Sequence, residues 1–143
     1  MFTHTKTFTM KPITSLILLV VGMASFSGCN SSDSIESKIN GRWELRHVTG
    51  IQVANVDPNF PKGNGNILKF DNGQLERFTA NKLMGTDTYT IKEEKKKINN
   101  SEAQYTLIFK DKSEKHIGFS EGKLILFDGE IAADGTESIY EKL

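Results

Sequence analysis

The sequence predicts an all-β domain: an eight-stranded antiparallel up-and-down barrel behind an exported leader and a short tether. Three observations predict it. From residue 40 onward the apolar residues recur in short alternating runs rather than at helical spacing. Turn-forming residues punctuate those runs, with Asp71-Asn72-Gly73 between two apolar stretches as the strongest short hairpin signal. The runs number eight, centred near residues 45, 68, 77, 89, 106, 117, 125 and 139. Eight strands close into a barrel just wide enough to be filled by side chains or to hold one small ligand.

The leader comes first. Lys11 precedes the apolar run Ile13 to Val21, which is too short for a transmembrane helix of roughly 20 residues but has the charged and apolar regions of a secretory signal. It ends in small residues before Cys29, in Ser25-Phe26-Ser27-Gly28-Cys29. This resembles a bacterial lipoprotein signal, with Phe26 where leucine is usual. The resemblance implies cleavage before Cys29 and diacylglycerol on its thiol. Two or three acyl chains, at about 0.8 kcal/mol per buried methylene, anchor a soluble domain. The implied location is the bacterial outer membrane, periplasmic or surface-exposed, with membrane lipid as a partner through acylated Cys29. Cys29 is the only cysteine, so no internal disulfide forms. Met10-Lys11-Pro12 reads as a compact signal start, so residues 1–9 are expected to be an over-extended beginning.

Asn30 to Lys38 is polar and serine-rich, and the composition predicts a flexible tether over residues 29–39. The domain proper is expected over residues 40–143. Gly41-Arg42-Trp43 opens the first strand, Arg42 to Thr49, and the single tryptophan is expected to plug one end of the barrel. A long connection, Gly50 to Asn66, carries Pro58, Pro61 and a Gly63-Asn64-Gly65-Asn66 cluster, all unsuited to a central strand. Ile67 to Phe70 and Gln74 to Thr79 flank the tight turn. Thr86 to Lys92 follows, then a charged tip, Glu93 to Ser101, expected to be solvated. Glu102 to Lys110, Lys115 to Phe119, Lys123 to Phe127 and Thr136 to Leu143 complete the set.

Gly41-x-Trp43, the long first loop, the Phe70 to Gly73 hairpin, the Gly85 to Tyr89 stretch and the closing Ile139-Tyr140-Glu141-Lys142 together resemble the lipocalins. The nearest likeness is to the lipocalin-like domains of small bacterial lipoproteins. The resemblance covers nearly all of residues 40–143. It implies a ligand-carrying barrel and a basic residue packed on the tryptophan; the last strand offers Lys142 for that place.

Strand alternation from Trp43 puts Leu45 and His47 on the same, inward face. With Phe70, Tyr89, Tyr105, Leu107, Phe109, Phe119, Leu124 and Leu126 they form the candidate ligand cavity, reached under the Gly50 to Asn66 loop. His47, Tyr89 and Tyr105 would supply polar contacts.

Charge excludes one class of partner. Eighteen basic groups face eighteen acidic ones, and removing Lys6 and Lys11 with the leader leaves about −2, which argues against nucleic acid. No metal-ligand spacing, nucleophile elbow or phosphate loop is present. No cofactor or catalytic activity is expected. The expected function is therefore a membrane-anchored, non-catalytic carrier of a small hydrophobic molecule. The alternative is an envelope protein–protein module, a complex subunit or hydrolase inhibitor, with a filled barrel. Ile67/Leu68 and Ile125-Leu126-Phe127 place apolar groups on both sheet faces, which favours such an outer contact.

Overall fold

The computed structural model describes residues 34–143; the leader, Cys29 and the first part of the tether lie outside the described residues. The eight expected strands are all present: β1 (Gly41–Thr49), β2 (Ile67–Asp71), β3 (Gln74–Thr79), β4 (Lys82–Ile98), β5 (Ser101–Phe109), β6 (Glu114–Ser120), β7 (Lys123–Asp128) and β8 (Thr136–Lys142). Each pairs antiparallel with its sequence neighbours, and β1 pairs with β8, so the barrel closes in chain order. Closure leaves no outermost strand, which is how such sheets avoid open pairing edges.

The hairpins follow from local chemistry. Asn72 and Gly73 both take positive φ (45° and 84°), the conformation a two-residue turn between twisted strands requires. Glu121-Gly122 does the same between β6 and β7. A single turn of 3-10 helix, Ile131–Ala133, lies in the β7–β8 connection.

In an up-and-down barrel alternate connections share one end. The β1–β2, β3–β4, β5–β6 and β7–β8 connections therefore surround one end. The chain enters β1 at the other, and there the expected tether is corrected in part. Ile35–Ile39 forms a short helix, α1, with Ser34 as its cap, accepting a hydrogen bond from the Ser37 amide at 3.3 Å. A polar composition hid one apolar anchor: Ile39 is completely buried in the barrel core. The Trp43 indole Nε1–H donates to the Ile39 carbonyl at 2.7 Å, and Asn40 exchanges hydrogen bonds with Asn72 at the β2–β3 turn. Trp43 plugs this end as expected, and α1 seals it.

One continuous core fills the interior: Ile39, Trp43, Leu68, Phe70, Leu75, Tyr89, Leu107, Phe109, Ile117, Leu124 and Tyr140, with Leu45, Ile91, Tyr105, Phe119 and Leu126 packed against it. The second cluster lies on the outer surface. β4 runs for 17 residues, well past its expected limits, and the β4–β5 ribbon bends back across the outside of β6 and β7. Ile98 and Ala103 pack on Phe127 beside Ile125. The Glu93 to Ser101 tip is thus not simply solvated. Asn99 donates to Glu137 on β8 at 2.6 Å and accepts from the Ile131 amide at 2.9 Å. The outer apolar residues of β7 are covered by this chain's own ribbon.

Candidate functional site

The two ends of the barrel differ in packing. Near α1 the rings interlock: Trp43 lies 5.9 Å from Phe119, Tyr105 6.3 Å from Phe119, and Phe70 5.6 Å from Tyr89, centroid to centroid. Lys142 sits with its Nζ 5.2 Å over the Trp43 ring and donates to the Lys38 carbonyl, while Lys38 caps Phe119 at 4.3 Å. Gly41 makes room for this, because a Cβ there would meet Lys142 Cε at 2.9 Å. The lysine on the last strand therefore occupies the place where a basic residue was expected, in a cation–π contact.

Toward the opposite end the packing opens. A hollow of about 190 Å3 is lined by Leu68, Phe70, Leu75, Arg77, Leu107, Phe109, Lys115, Leu126 and Tyr140. A second, of about 240 Å3, shares Leu68, Arg77 and Tyr140 and adds Leu45, Asn66, Ile67, Phe78 and Thr79. Register fixes the facing of the charged residues. Arg77 pairs with Leu68, and Leu75 pairs with both Phe70 and Asp87, so Arg77 and Asp87 share the inner face with the core. Lys115 pairs with the buried Leu107, and Asp128 alternates with Leu124 and Leu126. Two ion pairs thus stand at the mouth: Arg77–Asp87 at 2.6 Å and Lys115–Asp128 at 2.8 Å. The Arg77 side chain remains 46% exposed, and one carboxylate uses only part of a guanidinium's five donors. Tyr140 is buried beside Arg77 and Lys115 in the lining, and burial pushes its hydroxyl up to about 12, so it stays neutral.

Of the residues expected to form a cavity, Phe70, Leu107, Phe109 and Leu126 line the first hollow and Leu45 the second. Trp43, Tyr89, Tyr105, Phe119 and Leu124 belong instead to the packed core. His47 is a correction. β1 carries a bulge: Leu45 pairs with Tyr140 but His47 with Ile139, leaving Arg46 unmatched. One extra residue inverts the alternation, so His47 leaves the interior and its Nδ1 meets Asn59 Oδ1 at 2.9 Å. Neither Tyr89 nor Tyr105 lines either hollow. The first loop is not their roof: Pro58 and Phe60 bond back along β1, and only its last residue, Asn66, reaches the second hollow.

Leu75, Arg77, Lys115 and Tyr140 were missed. Alternation from Phe70 through the turn, and from Ile117 and Leu126, marks their faces; a charged side chain simply reads as outward in a sequence. The other histidine among the described residues, His116, lies under the outer ribbon. Lys96 Nζ approaches His116 Nε2 at 3.2 Å, His116 Nδ1 approaches Thr106 Oγ1 at 2.9 Å, and Thr106 donates to Glu94 at 3.2 Å. Burial and Lys96 hold His116 below the usual histidine range. Among the described residues no group of three or more His, Cys, Asp or Glu side chains is placed to hold a metal. No helix there is long and apolar enough to cross a membrane.

The fold and the site define a class: a closed up-and-down β-barrel, plugged at one end and hollow behind charged residues at the other. Comparison with protein-family models, curated proteins and solved structures returns no match to this chain.

Proposed function

We propose that the protein is a lipocalin-like, non-catalytic binding protein whose ligand is a small apolar molecule with an anionic end. The carrying observation is the apolar hollow whose rim presents Arg77 and Lys115 on the inner face. Its size selects the ligand. A 150 Å3 apolar cavity accepts a benzene ring, so about 190 Å3 takes one ring or a short chain, and the adjoining hollow extends it into the usual range of small-molecule sites. Six methylenes gain about 5 kcal/mol, against association costs of roughly 4–15 kcal/mol. Apolar contact alone is therefore insufficient, and a charge-assisted hydrogen bond, worth about 1.5–3 kcal/mol, decides binding. Arg77 supplies it by turning spare donors from Asp87 toward the ligand.

Lipid on Cys29, as the leader's resemblance implies, would tether the domain to the envelope membrane through the chain that enters at the plugged end. The alternative is an envelope protein–protein module, favoured by Ile67/Leu68 and Ile125-Leu126-Phe127; of these, Ile125 and Phe127 pack against the β4–β5 ribbon of this chain. Calorimetry with matched carboxylates and alcohols of six to ten carbons tests the proposal. The carboxylate should bind about ten-fold more tightly than the alcohol, and Arg77→Gln should erase the difference. Absence of saturable heat, or equal affinities in the unaltered protein, would contradict it.

A further inference from the structure

Large exposed apolar side chains are concentrated at one end of the described molecule. Val53 (65%) and Val56 (47%) lie on the β1–β2 loop, and Leu83 (51%) and Met84 (63%) follow the β3–β4 turn. The remaining one, Leu143, is the last residue, beyond β8 at the plugged end. Leu83 and Met84 are consecutive, and β4 bulges there: Arg77 pairs with Gly85 and Phe78 with Leu83, so Met84 has no partner. A bulge frees a side chain from the alternation that would otherwise bury or pair it.

The charges around this tip are asymmetric. Lys82 adjoins it, and Lys110 and Lys112 belong to the β5–β6 turn at the same end, where they line a groove of about 300 Å3 with Thr88 to Thr90 farther along β4. None of these three lysines makes an ion pair among the described residues. Of the nearby acids, Asp87 is paired with Arg77, while Asp111 stays charged between Lys110 and Lys112, hydrogen-bonded by the amide and hydroxyl of Ser113, so the side still carries a net excess of lysine. The opposite side of the same end, the β7–β8 connection, carries Glu130 and Asp134.

We infer that the β3–β4 tip docks on an anionic lipid surface, with Leu83 and Met84 entering the headgroup–acyl boundary and Lys82, Lys110 and Lys112 meeting the headgroups. Apolar groups fringed by free lysines match that boundary, where lysine stems lie along apolar surface and their ammonium groups stay in water. Each lysine adds roughly five-fold in affinity for an anionic surface. The acidic β7–β8 side is repelled, so the barrel tilts and its mouth meets the bilayer beside the β3–β4 hairpin.

The test uses the full chain with Cys29→Ser and an environment-sensitive dye on one introduced thiol, at Met84→Cys or at Glu121→Cys in the β6–β7 turn of the plugged end. Phosphatidylcholine vesicles with phosphatidylglycerol should blue-shift the dye at position 84 and leave that at 121 unchanged. Phosphatidylcholine alone should give a weaker shift. Leu83→Ser with Met84→Ser, labelled at Val56→Cys, should weaken the response roughly ten-fold or more. Three results would overturn the inference: no shift at 84, equal shifts at 84 and 121, or a shift at 84 produced by concentrating the protein without vesicles, which would make a second copy the partner. The labels report membrane contact whether or not the hollow takes a ligand, so the two readings fail separately.

Discussion

Glu44 carries a carboxylate into an almost fully buried position on the outer face of β1, and three donors keep it charged there. The Gly63 and Gly65 amides reach it at 3.0 and 3.1 Å, and Arg46 Nη1 at 2.6 Å. Burial pushes its carboxyl up, but the Gly65, Gly63 and Arg46 contacts outweigh that and leave it below the ordinary value of 4.5. Arg46 is held in turn by Glu141 at 3.0 Å, so β1, β8 and the first loop meet at one ionic knot. Glu44→Ala takes the acceptor from the Gly63 and Gly65 amides and leaves Arg46 with Glu141 alone, and should cost about 3 kcal/mol in denaturant unfolding. The sign with pH follows from the lowered carboxyl. Its stabilisation is complete above pH 4.5 and is lost as pH falls through the folded-state value, and Glu44→Ala should flatten that acid limb. Little of this was legible. The Gly63-Asn64-Gly65 cluster signals a turn, yet nothing local to it names a carboxylate nineteen residues earlier.

At the scale of elements, the β4–β5 ribbon depends on a missing side chain. At Gly118 a Cβ would stand 2.7 Å from the Glu102 carbonyl, with Phe127 and Ala103 close behind. The ribbon crosses there because β5 stops pairing with β6 at Tyr105–Ile117, and the Gln104 amide takes over, bonding the Phe119 backbone in both directions. Gly118→Ala should therefore cost about 1–3 kcal/mol by overpacking, and hydrogen exchange should quicken first at Ile98 to Ala103. Strand existence was legible throughout, because turn residues and alternation agree at each hairpin. Strand length was not. β4 has an unmatched residue at Met84 and another between Glu93 and Lys96, and each bulge breaks the two-residue period that reveals a strand. The bulge in β1 misplaced His47 for the same reason. α1 escaped notice because a single apolar residue, Ile39, anchors a segment whose composition is otherwise that of a linker.

Across the whole molecule the barrel divides its interior into a sealed half and an open half. Trp43, Phe119 and Tyr105 close one end under α1, and Lys142 braces the tryptophan. Leu75, Leu107 and Leu126 leave space at the other, below Arg77 and Lys115. The sealed half was readable from aromatic positions on alternating strands. The open half was not, since a hollow depends on how side chains from five or more strands fit together, which no single run encodes. The most direct measurement of the central proposal is a nuclear magnetic resonance titration with octanoate, following leucine methyls and the one tryptophan indole in the same spectra. Saturable shifts at Leu75, Leu107 and Leu126 with an unmoved Trp43 indole are the predicted result. No saturable change, or changes centred on Trp43, would contradict it.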